Sequence, residues 1–227
     1  MPREVMTRFE EKFGILVYEG DGPTECSPVT AVNPIGGKRK AGSIGLPIRD
    51  VEMKIVDLNG NDLPDNTIGE IVVRGPNIMK GYFNLPRETR ESFFEEWFRT
   101  GDMGMKDEEG YFYIVDRIKD MIIVNGVNVY PRHVEEAIYR HPAVAEVAVI
   151  GVPHKRSGEA VHAFVVLKEG ESVTPAEIRR FCFDHLGGFE IPRRVEIVPS
   201  LPKSSTGKIL KRELRRDGEI ERGVDLG

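Results

Sequence analysis

Apolar and polar positions alternate with two different periods along this chain. From Pro2 to Phe13, Val5, Met6, Phe9 and Phe13 share one face at helical spacing, with a proline near the first turn. This predicts a short helix. Four apolar residues follow, Ile15 to Tyr18, and read as a buried strand leading into a loop rich in glycine, proline and hydroxyls. From Ser43 to Gly75 the pattern is that of strands. In "VEMKIVD", Val51, Met53 and Ile55 lie on one side, and "GEIVVRG" is a second run bounded by glycines. A proline-started helix is predicted over 86–95, and two short strands, "WFRTGDMG" and "GYFYIVD", flank "KDEEG".

After Lys119 the pattern changes. Helices are predicted over 131–140 and 175–186, strands over 144–150, 160–168 and 194–198, and a basic tail helix over 209–216. The last residues, "DGEIERGVDLG", read as frayed. The fold class expected is α+β: a β-rich part at 1–116, the end of a larger domain, and a small α+β lid domain at 117–227. The border falls at "DRIKD" (116–120), where four charges crowd into five residues between apolar strands. No internal repeat or low-complexity segment interrupts either part.

Length and composition narrow the classes. A chain of 227 residues, 40% hydrophobic, has enough apolar material for one or two packed domains. A net charge of −5 gives no global bias towards nucleic acid. Apolar runs of a handful of residues are far short of the roughly 18–20 that cross a membrane, so no transmembrane segment is expected. Peripheral membrane contact remains compatible. The charged N-terminus is unlike a signal peptide. Cys26 and Cys182 stand far apart and suggest no disulfide framework, which fits a reducing cytoplasm. His133, His141, His154, His162 and His185 have no metal-ligand spacing.

Four short stretches could carry chemistry, and each has an ordinary structural reading. In "GPTE" (22–25) a hydroxyl and a carboxylate suit phosphate oxygens and a hard cation such as Mg²⁺, or begin a turn. In "RTGD" (99–102), Asp102 could accept both hydroxyls of a ribose, or cap a β-turn. In "DRIKD", Arg117 offers forked donors to a ribose or phosphate, or joins a surface ion-pair cluster. "PKSSTGK" (202–208) puts Lys208 after a glycine on a hydroxyl-rich loop. It lacks the first glycine of a Walker loop, leaving either a phosphate- or carboxylate-seeking lysine or a basic surface loop.

Taken in order, "GPTE", "GEIVVRGPNIMKGYFN", "WFRTGD", "DRIKDMIIVNGVNVYP" and "PKSSTGKILKREL" resemble the C-terminal portion of the adenylate-forming superfamily. That superfamily comprises acyl-CoA synthetases, peptide-synthetase adenylation domains and luciferases. The wording is most similar to bacterial long-chain fatty-acyl-CoA ligases. The resemblance implies a ligase that uses ATP and Mg²⁺ to turn a fatty acid into an acyl-adenylate, then transfers the acyl group to CoA with release of AMP. It implies roles residue by residue. Gly22 and Thr24 would meet the nucleotide, with Thr24 and Glu25 handling its phosphates and Glu25 the metal. Asp102 and Arg117 would hold the ribose. Lys119 would be a hinge, Gly126 would line the CoA channel, and Lys208 would bridge carboxylate and α-phosphate.

The sequence departs from the family pattern twice. Asp21 stands where the family places an adenine-stacking aromatic, with Tyr18 the nearest stand-in. The family's Ser/Thr/Gly-rich phosphate loop is absent. The chain is therefore expected to be a fragment, inactive alone, whose partner is the missing N-terminal portion of the same enzyme. The alternatives are an adenylation domain that loads a carrier protein, and a non-catalytic partner-binding module that retains the motifs.

Overall fold

A computed structural model describes residues 2–220, with side chains to Arg215. The chain divides into two compact units, Met1–Lys119 and Asp120–Gly227.

The first unit begins with helix α1 (Arg3–Phe13), closed by Gly14 in the left-handed conformation, whose N–H reaches Glu10 O. Strands β1 (Gly20–Asp21), β2 (Ala31–Val32) and β3 (Leu46–Pro47) form a small antiparallel sheet. Strands β4 (Glu52–Val56) and β5 (Gly69–Arg74), helix α2 (Pro86–Glu91), and strands β6 (Phe93–Phe94), β7 (Trp97–Lys106) and β8 (Phe112–Arg117) complete the unit. Their sheet runs β4-β5-β7-β6, with β8 on the second half of β7. Its core gathers Ile55, Ile71, Val73 and Phe112 with Ala31, Ile44 and Val51.

Two expectations fail here. Residues 15–18 form no strand: Ile15 and Leu16 are 61% and 57% exposed, and Phe9 and Phe13 on the apolar face of α1 are also exposed. The helix expected over 86–95 stops at Glu91. Phe93 and Phe94 instead pair with Phe98 and Trp97, and Glu95 takes φ 54° at the turn. Aromatic pairing across a tight hairpin outweighs continuation of an exposed helix.

In the second unit, β9 (Ile122–Val124) and β10 (Val127–Val129) form a hairpin, followed by α3 (Pro131–Tyr139). Strands β11 (Val144–His154) and β12 (Gly158–Leu167) pair antiparallel over nearly their whole length. Helix α4 (Pro175–Phe183) then crosses over, so that β13 (Arg194–Ile197) lies parallel to β12. Helix α5 (Lys211–Ile220) closes the chain. Thr174 and Glu177 form a reciprocal capping box at the start of α4. One side of the sheet packs Ala148, Ile150 and Phe164 against Leu201 and, from α5, Leu214. Of the tail expected to fray, residues 217–220 continue α5; 221–227 lie outside the described residues. Among the described residues no helix is long and apolar enough to cross a membrane.

Candidate functional site

Strand β7 carries "RTGD" where its pairing is irregular. The register against β5 shifts between Glu70 and Val72, and the register against β8 shifts between Met103 and Gly104. Glu70, 2% exposed, holds this kink. Its Oε2 accepts from Arg99 Nη2 at 2.8 Å and Nε at 3.1 Å, and its Oε1 from Gly101 N at 3.3 Å. Thr100 Oγ1 donates to Ile71 O (2.8 Å) and accepts from Asp102 N (3.0 Å). Gly101 sits at φ 72°, a conformation that costs a side-chain-bearing residue more. Arg99, Thr100 and Gly101 are thus tied to β5, and Asp102 is held through Thr100.

Asp102 faces Arg117 across the β7–β8 ladder. Arg117 Nε donates to Asp102 Oδ1 at 3.2 Å, while the guanidinium side chain remains 58% exposed. Asp102 itself is 6% exposed. Burial pushes its carboxyl up to about 6; Arg117 pulls it down, Asp21 pushes it up and Lys119 pulls it down again. A buried carboxylate beside a guanidinium with donors to spare can accept neutral hydroxyls.

Asp21 brings the second loop into this neighbourhood. Thr30 Oγ1 donates to Asp21 Oδ2 (2.9 Å), and Thr30 N to Asp21 O (2.9 Å). Gly22 has no alternative: a Cβ there would lie 2.0 Å from Pro28 O. Thr24, Glu25 and Cys26 form one turn of 3₁₀ helix. Thr24 is exposed. Glu25 Oε1 accepts from Tyr82 Oη at 2.8 Å. The Cys26 thiol is buried and pushed up to about 12, by burial first and then by Asp21 and Glu25. Tyr18, the stand-in aromatic, has the Arg39 guanidinium carbon 6.0 Å from its ring centre.

The first unit therefore holds Gly22, Thr24, Glu25, Asp102 and Arg117. Lys119, the last residue of that unit, is in the 3₁₀ turn Ile118–Asp120, which spans the break. Among the described residues no three His, Cys, Asp or Glu side chains are grouped to hold a metal unaided. Glu25 has one oxygen occupied by Tyr82 and fits a cation that brings most of its ligands along, as Mg²⁺ does with phosphates and water.

The other two named residues lie in the second unit. Asn125 and Gly126, at φ 52° and 79°, form the two-residue turn between β9 and β10, the conformation Asn-Gly favours in hairpins. "PKSSTGK" is a hairpin-like turn. Lys203 bridges Ile209, Ser204 N donates to Lys208 O (2.8 Å), and Gly207 N donates to Ser204 O (2.9 Å). Gly207 has φ 80°, and Lys208 is exposed at the end of the turn. Lys203, by contrast, is paired with Glu146 at 2.5 Å. The Cys182 thiol is buried and pushed up to about 11 by that burial.

Glu70, Thr30 and Tyr82 were not singled out from sequence. "GEIVVRGPNIMKGYFN" contains two of them, but nothing in the string marks a buried glutamate or a phenol aimed at a residue 57 positions away.

Comparison with known proteins bears on this arrangement. Residues 1–83 match the AMP-binding enzyme family, and residues 133–208 match the AMP-binding enzyme C-terminal domain. The chain belongs to the AMP-binding enzyme family. Relatives in this family include a long-chain-fatty-acid--CoA ligase of Escherichia coli O6:H1, 46% identical over 93% of this chain and 37% of that protein. One of the same description from Bacillus subtilis is 46% identical over 94% and 38%. The chain thus spans less than two-fifths of the length of these relatives. Among solved structures, ATP-bound MatB from Rhodopseudomonas palustris superposes with a TM-score of 0.91 at 37% identity, over 95% of this chain and 43% of that one. The anthranilate CoA ligase AuaEII with anthranoyl-AMP gives 0.89 at 32% identity, over 99% and 44%. The α+β architecture expected from sequence is the one these family members share.

Proposed function

We propose that this chain is the C-terminal part of an ATP-dependent, AMP-forming ligase that joins a long-chain fatty acid to CoA. The observation that carries the reading is the buried Asp102 paired with the exposed Arg117, with Asp21, on the loop that leads into the Thr24–Glu25 turn, close enough to push the Asp102 carboxyl up. That constellation offers an acceptor for ribose hydroxyls, donors for phosphate and a carboxylate for the accompanying cation. The names of the CoA-ligase relatives support the substrate class, and ATP-bound MatB supports the nucleotide. The two buried thiols suit a reducing, cytoplasmic setting.

In the first step a carboxylate oxygen of the fatty acid attacks the α-phosphorus of ATP, and the bond to pyrophosphate breaks. Two anions meet, so added positive charge lowers the barrier. Lys208, on an exposed turn, supplies an ammonium to that point. Glu25 would hold a divalent cation arriving with the phosphates, and that cation would supply further charge neutralisation. In the second step the CoA sulfur attacks the acyl carbonyl and AMP leaves with the bonding electrons. Lys208 is not needed there, and a small domain pivoting at Lys119 would bring Gly126 and the thiol path forward instead. The fatty-acid pocket and the phosphate loop belong to the remainder of the enzyme, and the chain alone does not turn over.

Lys208→Ala in the full-length enzyme tests the reading. Acyl-adenylate formation should fall about a hundred- to a thousandfold, the usual loss for one such donor. Conversion of supplied acyl-adenylate and CoA to acyl-CoA should stay near the parent rate. A parallel fall in both single-turnover assays, or in neither, would remove Lys208 from the chemistry.

A further inference from the structure

A three-residue turn does not determine where a glutamate on it points, because the side chain keeps its rotamer freedom. Around Glu25 that freedom is removed by the segment between β5 and α2. Met79 N donates to Glu25 O at 2.7 Å. Asn77 Nδ2 donates to Cys26 O at 2.8 Å and to Val29 O at 2.9 Å. These bonds attach the turn's backbone to residues 77–79. Tyr82 Oη then donates to Glu25 Oε1 at 2.8 Å.

Tyr82 is itself held. Its N–H donates to Thr89 Oγ1 at 2.9 Å, and that hydroxyl donates to the O of Leu85, just before α2, at 2.8 Å. Gly81 takes φ 150° just before it, and a Cβ there would meet the Thr89 methyl at 2.6 Å. The phenol is half-buried, and its pKa is raised by burial and by the Glu25 carboxylate. It therefore stays protonated, and its only role towards Glu25 is as a donor.

We propose that Tyr82 is a positioning residue for Glu25, occupying Oε1 with its hydroxyl proton so that Oε2 is presented to the divalent cation of a metal–nucleoside triphosphate. This rests on the reading of Glu25 as a cation-binding carboxylate. Among the described residues no hydrogen bond reaches Oε2. Asn77 and Met79 N hold the backbone so that the tyrosine and glutamate meet in one arrangement. A hydrogen bond to a charged group of this kind is worth roughly ten- to a hundredfold in an equilibrium.

The test uses the full-length enzyme with Tyr82→Phe, Glu25→Gln and the double variant. Mn²⁺ affinity in the presence of a non-hydrolysable ATP analogue is read from the EPR signal of free Mn²⁺. Each single variant should weaken it, Tyr82→Phe by about ten- to a hundredfold. The double variant should be no worse than Glu25→Gln, because the tyrosine acts through the glutamate. KM for the fatty acid should not move. Ultraviolet titration of tyrosine should show one phenol ionising at lower pH in Glu25→Gln than in the parent. That readout leaves Tyr82 intact and stands even if Tyr82→Phe folds poorly. Additive losses in the double variant, or an unmoved phenol in Glu25→Gln, would overturn the positioning role while leaving Glu25 as a ligand. Unchanged Mn²⁺ affinity in Glu25→Gln would remove the cation reading and the positioning role with it.

Discussion

Replacing Asp102 by asparagine should stabilise the first unit and at the same time weaken nucleotide binding. The side chain is buried, and its carboxyl is pushed from 3.8 up to about 6 in the folded chain. The folded form therefore holds its proton more tightly than the unfolded form. Stability from this group is fully present below about pH 4 and is lost as pH rises through 6. Two pKa units correspond to about 3 kcal/mol, reached by pH 8, with about half of that already lost at pH 5. Asparagine keeps the shape without the charge. It forfeits only the pairing with a largely exposed Arg117, worth about 0–1 kcal/mol. Urea unfolding of this chain, followed by Trp97 fluorescence in the first unit, should show Asp102→Asn more stable than the parent at pH 8. The advantage should shrink by roughly half at pH 5. In the full-length enzyme the same variant should lose about ten- to a hundredfold in kcat/KM for ATP, because a neutral amide accepts hydroxyls less well. A variant that is less stable at pH 8, or whose advantage does not change with pH, would show that Asp102 is not carrying a buried charge.

Three further outcomes follow from the named residues. Lys119→Pro in the full-length enzyme fixes φ at the junction and should slow the thioester step more than adenylation; equal slowing would deny Lys119 a pivotal role. Thr174→Ala breaks the capping box of α4 and should lower second-unit stability by about 1 kcal/mol, seen as a lower urea midpoint at unchanged slope; an unmoved midpoint would mean the box adds nothing. Lys208→Ala should separate the two half-reactions as set out above.

Periodicity over long stretches was the most legible signal in the sequence. Helix α3 starts at Pro131, and β11 and β12 lie where apolar runs were bounded by turn residues, because propensity, pattern and burial agree there. "ILVY" misled for a physical reason: four apolar residues report that something should cover them, but not that they pair as a strand. The two-residue strands β1, β2 and β3 were invisible because they are defined by partners far apart, such as Asp21 with Ala31 and Ala31 with Pro47. In the site, Asp102 and Arg117 were each named from motifs, yet their ion pair depends on a register that only the folded ladder sets. Glu70 and Tyr82 were hidden for the same reason: each acts on a residue at least 29 positions away.

The two buried cysteines make this protein unusually easy to label. With thiols raised to about 12 and about 11, only on the order of one molecule in ten thousand carries either thiolate at neutral pH, and the thiolate is the reactive form. The sequence contains no other cysteine. Maleimide dyes should therefore ignore the native chain. A cysteine introduced at exposed Glu88 in the first unit and another at exposed Glu171 in the second would be the only sites modified. Fluorescence transfer between them could then follow the distance between the two units of this chain in single molecules, with both native cysteines left in place.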